Sequence, residues 1–98
     1  MIKVKLTPED TNIYGLYLVG QSLICEVDCT DGNASISLPD VENYEGEYII
    51  FVKTDSSSNT VTISGTSGQT INGTTVTLSS QYDSALISAG DSNWYKIN

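Results

Sequence analysis

Residues Thr60–Leu78 read TVTISGTSGQTINGTTVTL. A run so rich in Ser, Thr, Gly and Asn has the composition of a flexible linker, yet Val61, Ile63, Ile71, Val76 and Leu78 interrupt it. Val61 and Ile63 stand two residues apart, as do Val76 and Leu78, which is the period of a strand with one buried face. Asn72-Gly73 follows Ile71 where a tight turn requires positive φ. Thr on the wet face suits the pleat through its branched carbon and meets water through its hydroxyl. The stretch therefore reads as folded sheet with a hydroxyl-rich exterior, not as filler.

The same pattern continues in both directions. Ile2–Leu6 alternates Ile, Val and Leu with Lys, a short strand with one wet face. Thr7-Pro8-Glu9-Asp10 has the N-cap and first-turn chemistry of one helical turn, or is a loop. IYGLYLVG is apolar without a clean period and is expected to be a strand or a contact with a neighbouring subunit. Leu23–Cys29 alternates Leu23, Cys25, Val27 and Cys29 on one face. Thr30–Asn33, TDGN, is a turn signal, and a hairpin is expected between this strand and Ala34–Leu38, which turns Ala34, Ile36 and Leu38 inward. Pro39 ends that strand, and PDVENYEG suits one or two helical turns closed by Gly46. EYIIFVKT (Glu47–Thr54) is apolar on both faces, the pattern of a central strand covered on both sides or of one lying under a partner chain. DSSSN is a loop. Ser84–Ser88 is another strand, and Asn93–Ile97 closes the chain with Trp94 and Tyr95 on opposite faces. About eight short strands with turn signals every ~8–12 residues predict an all-β fold. We expect a single antiparallel β-sandwich or barrel-like domain with at most one or two short helical turns.

Ninety-eight residues accommodate one core. Hydrophobic residues at 39%, with six Tyr and one Trp, oppose disorder. A net charge of −8 from four Lys, no Arg and no His repels phosphate backbones and anionic membranes, so neither nucleic acid nor membrane is an expected partner. MIKVKLTPED has no sustained apolar run and reads as neither a signal peptide nor a membrane span.

If Leu23–Cys29 is a strand, the Cα atoms of Cys25 and Cys29 lie about 13 Å apart, too far for a disulfide that needs roughly 4.4–6.8 Å. Two thiols without His are too few for a zinc site, and both read as small core residues. Without His there is no Ser-His-Asp triad, and no Ser sits in a G-x-S-x-G elbow. Glu26 and Asp28 share an outward strand face, where a solvated surface is the expected role rather than acid-base catalysis. Asp28, Asp31 and Asn33 around Gly32 resemble a calcium loop only faintly, since too few acids alternate there, and a plain turn is expected. No catalytic residue, cofactor or metal site is therefore expected.

From about Val27 onward the chain resembles a β-rich module recurring in virion proteins of tailed bacteriophages, in tail fibres, head fibres and other surface proteins. The resemblance is carried in order by Leu38-Pro39, Tyr48–Lys53 with Thr54-Asp55, Asn59–Ile63, Thr70–Gly73, Leu78 with Gln81-Tyr82, and Asp91–Tyr95. It implies a non-enzymatic structural role: a small accessory protein for capsid decoration, a head fibre or a fibre base, made in the host bacterial cytoplasm and located in the virion. It also implies homotrimeric self-assembly and docking on other virion proteins. Residues 1–22 lie outside the resemblance and are expected to form an attachment or oligomerisation segment, with residues 23–98 forming the module. Aromatic and apolar residues favour interfaces, and the expected partner-contacting residues are Tyr14, Leu16, Tyr17, Ile49, Phe51, Trp94 and Tyr95. The alternative is a receptor- or glycan-binding module that uses exposed Tyr and Ser/Thr loops against host surface sugars.

Overall fold

The computed structural model describes residues 2–14, 22–44 and 46–98. Eight strands run in the order β1 (Ile2–Leu6), β2 (Leu23–Val27), β3 (Ala34–Ser37), β4 (Tyr48–Lys53), β5 (Val61–Ser64), β6 (Val76–Leu78), β7 (Ser84–Ala89) and β8 (Trp94–Lys96). A 3-10 turn, Val41–Tyr44, stands between β3 and β4. The strands form a five-stranded sheet, β1-β2-β4-β7-β8, and a three-stranded sheet, β3-β5-β6. The protein is thus a sandwich-like all-β fold. Its doubly apolar strand β4 is central in the larger sheet, as the sequence predicts.

Alternation sets the core. Leu23, Cys25 and Val27 of β2, Ile49 and Phe51 of β4, and Ala85 and Ile87 of β7 point inward from one sheet. Ala34 and Ile36 of β3, Val61 and Ile63 of β5, and Val76 and Leu78 of β6 point inward from the other. Trp94 and Tyr44 fill one end, their rings 5.8 Å apart at an interplanar angle of 51°. Both cysteines are buried and free, in accord with the strand geometry.

Two expectations about pairing are corrected. The sheets are mixed, because β1 pairs with β2, β2 with β4 and β3 with β5 in parallel, while β4–β7, β5–β6 and β7–β8 are antiparallel. The segments on either side of TDGN do not form a hairpin: β2 belongs to the larger sheet and β3 to the smaller. The chain crosses the sandwich at that turn. Alternation tells which side of a strand is buried, and β2 and β3 bury theirs in the common core from opposite sheets.

The first strand belongs to the larger sheet. β1 hydrogen-bonds along β2 in register Ile2↔Leu23 to Leu6↔Val27, and Leu6 and Ile13 are part of the common core. Its alternation of Ile2, Val4 and Leu6 against Lys3 and Lys5 makes it a strand of the same sheet.

Strand edges are guarded in three ways. Residues Thr11–Ile13 lie along β3, with the Ser37 N–H donating to Thr11 O at 2.9 Å. The turn before β6 lies along β8, the Trp94 N–H donating to Thr70 O at 2.9 Å and the Asn72 N–H to Trp94 O at 3.1 Å. β1 carries exposed Lys3 and Lys5, whose charges discourage pairing with a further strand.

One inward position is occupied by a cation. Lys53 ends β4 fully buried, its ammonium donating to Oδ2 of Asp55 at 2.8 Å, to Asp55 O at 3.0 Å and to Ser57 O at 2.9 Å. Asp55 Oδ1 accepts from the Cys29 N–H at 2.8 Å, and Oδ2 accepts from the Ser57 hydroxyl and from the Ser57 N–H at 3.0 Å. The Asn59 amide donates to Cys29 O at 2.9 Å. This knot ties the DSSSN loop of one crossover to the Cys29–Thr30 end of the other, so it clamps the two sheets together.

Candidate interaction face

The outward side of the five-stranded sheet is built from the positions that alternate with the core. Register aligns Lys3, Ile24, Ile50 and Leu86 in one row across β1, β2, β4 and β7. Ile97 extends that row, its N–H donating to Leu86 O at 2.8 Å. A second row holds Lys5, Glu26, Val52 and Ser84. A third runs from Tyr48 through Ser88 to Tyr95. Ile24, Ile50, Val52 and Leu86 are half-buried, whereas Tyr48, Tyr95 and Ile97 are 39%, 52% and 62% exposed. Those three exposures mark the larger sheet, rather than the smaller, as the one presenting apolar side chains at its outer face.

Two of the chain's cations lie on the same face. Of four lysines, Lys53 is internal, while Lys3 and Lys5 lie on this face. Glu26 is the carboxylate in its rows, 4.0 Å from the Lys3 ammonium. Most other acids lie in loops and turns. On a chain of net charge −8, Lys3 and Lys5 offset the acidic side chains on this face and lessen its repulsion of a neighbouring surface.

The expected partner-contacting residues divide accordingly. Tyr95 lies on the face. Tyr14 is 47% exposed beside the smaller sheet, its hydroxyl donating to Thr66 Oγ1 at 3.2 Å. Leu16 and Tyr17 fall outside the described residues. Ile49, Phe51 and Trp94 have no exposed surface and belong to the core, and the outward-facing residues of β4 are Tyr48, Ile50 and Val52. Lys53 is the physical reason. A lysine at the end of a strand normally marks the wet side, and here the Asp55 carboxylate and two carbonyls let it sit on the inner side with Ile49 and Phe51.

Titration behaviour is consistent with structural roles. Burial pushes the Cys25 thiol up to about 12. Burial, then the hydrogen bond to Asp55, raises that of Cys29, whose Sγ lies 3.2 Å from Asp55 Oδ1. Neither is a poised thiolate. Burial alone would raise Asp55, but the hydrogen bonds from Lys53, Ser57 and Cys29 outweigh it and hold the carboxyl far below its usual range. For Lys53, burial works against the charge, while Asp55 and Cys29 favour it and carry the ammonium above its ordinary value.

An open groove of about 380 Å³ lies at the C-terminal ends of the parallel strands β1, β2 and β4, lined by Lys5, Leu6, Thr7, Glu26, Asp28 and Thr54. Asp28 is engaged locally, accepting from the Thr30 hydroxyl at 2.6 Å and the Thr30 N–H at 3.0 Å, and those hydrogen bonds lower its carboxyl. Asn33 is likewise used by the fold, its Oδ1 accepting from the Thr60 N–H at 2.9 Å. Among the described residues no group of three or more Cys, Asp or Glu is arranged to hold a metal ion.

Comparison with known proteins finds no matching protein family, no similar curated protein and no similar solved structure.

Proposed function

We propose that this chain is a non-enzymatic structural module of the tailed-bacteriophage virion type, which assembles with itself and docks on other virion proteins through the outer face of its five-stranded sheet. The observation that carries the docking part is the apolar row Ile24–Ile50–Leu86–Ile97 across the outer face of the larger sheet. The virion part is supported by the ordered sequence resemblance from Val27 to Tyr95. The mechanism is burial. Each square ångström of apolar surface removed from water contributes about 25 cal/mol, set against the freedom lost on association. A hydroxylated, acidic remainder keeps the assembled particle soluble.

Sedimentation of the purified chain tests self-assembly, with a trimer expected at micromolar concentration. Ile50→Lys, which puts a charge in the middle of the apolar row, is expected to return it to monomer while the circular dichroism of the sheet is retained. A wild-type monomer across that range rejects self-assembly. Immunogold labelling of intact particles tests the virion location, and label confined to unassembled host cytosol rejects it.

A further inference from the structure

The third row of the outer face differs in chemistry from the other two. Ser22 precedes β2 in the register slot beside Tyr48, its hydroxyl accepting weakly from the Tyr48 N–H at 3.4 Å and donating to Glu47 Oε2 at 3.0 Å. Tyr48, Ser88 and Tyr95 follow on successive strands. Serine and tyrosine thus alternate across the sheet, Ser22-Tyr48-Ser88-Tyr95, with a carboxylate at one end. Two strand spacings separate the tyrosines, roughly 10 Å, with the small Ser88 on the strand between them. The Tyr48, Tyr95 and Ser88 hydroxyls make no hydrogen bond to a described residue. Tyr95 is also held in place: a Cβ built on Gly90 would fall 2.4 Å from Tyr95 Cε2, so the ring lies against the glycine backbone.

We propose that this row binds an extended, uncharged oligosaccharide lying across the strands. Ring faces take the apolar faces of sugar units, and the free hydroxyls with Glu47 exchange hydrogen bonds with sugar hydroxyls. Neutrality follows from the net charge of −8, which repels sulfated or uronate-rich chains. Ordering of Tyr95 by Gly90 before the ligand arrives reduces the entropy lost on binding. The platform goes beyond the docking role and competes with it, since a sugar on this row and a protein on the neighbouring rows share one face.

The test is an array of neutral and acidic glycans probed with the full chain, followed by NMR titration of a neutral glycan that is retained. Binding is expected for neutral chains, with shifts centred on Glu47, Tyr48, Ser88 and Tyr95. Tyr48→Ala and Tyr95→Ala should each weaken it about tenfold, the equivalent of 1.4 kcal/mol. Tyr48→Phe, which keeps the ring and loses the hydroxyl, should weaken it less than Tyr48→Ala, and Tyr82→Ala, at a residue 72% exposed in a turn elsewhere, should leave it unchanged. Retention of no neutral glycan overturns the proposal, as does binding that both alanine variants preserve. Sedimentation with the glycan present keeps the two roles apart. Glycan binding by a monomer supports the platform and rejects self-assembly, whereas an oligomer that binds no glycan does the reverse.

Discussion

The Lys53 ammonium and the Asp55 carboxylate meet at 2.8 Å with side-chain exposures of 0% and 5%, two residues apart in sequence and away from water. A buried pair is a weak source of net stability, because desolvation offsets the attraction, but it is costly to break from one side. Asp55 serves four other donors besides Lys53, two from Cys29 and two from Ser57. Asp55→Ala should therefore destabilise by about 3–5 kcal/mol, leaving an unpaired cation inside. Lys53→Met should cost less, since Asp55 retains its remaining donors and the methionine fills much of the space. Urea denaturation of both variants checks the order.

The same pair sets the pH dependence. A carboxyl lowered in the folded state contributes stability that is complete above its unfolded value, about 3.9, and is lost as pH falls toward the folded one. Asp55 is the buried case, and Asp28, Asp40 and Asp83 shift in the same direction through hydrogen bonds from nearby backbone or side-chain donors. Stability should hold from neutrality down to about pH 4 and decline below it. On the alkaline side, the raised Lys53 contributes fully below about pH 10.4, and its share is lost as pH rises through its higher folded value. Thermal melts across pH, with Asp55→Asn as the comparison, should show a shallower acid decline in the variant.

Both thiols should resist alkylation while the chain is folded. Cys25 and Cys29 are fully buried, and burial keeps each protonated at neutral pH. Iodoacetamide at neutral pH should add to neither in buffer and to both in denaturant, and intact mass reads the difference. A reductant should leave the melting temperature unchanged, as no disulfide joins them.

The turn before β6 holds Gly73 in a conformation that glycine adopts most readily. Asn72 and Gly73 have φ of 52° and 84°, and a Cβ on Gly73 would meet nothing within 4 Å. Gly73→Ala should therefore cost about 1–2 kcal/mol purely through the left-handed conformation. Guanidinium titration checks it.

Much of the fold is legible in single strands. Val61/Ile63, Val76/Leu78 and Ala34/Ile36/Leu38 all point inward as their spacing indicates, and Asn72-Gly73 turns as its composition requires. Pairing is not legible: β2 and β3 look like a hairpin, yet they belong to opposite sheets. The outer face is half legible, since EYIIFVKT shows two apolar rows without saying which is inside. Lys53 points the wrong way for such a choice until Asp55 is seen beside it.

The order of residues alone determined that this chain is β-structured, that its strands have one face sealed from water, and that its exterior is hydroxylated and acidic. Those properties follow from side-chain period and composition, which are local. Tertiary structure decided which strands are neighbours, that a lysine lies inside, and that Tyr48 and Tyr95 share a row. Each of these depends on contacts between residues distant in sequence or on the environment that packing creates around them. A charged group can take an inner position only when its partners arrive there with it.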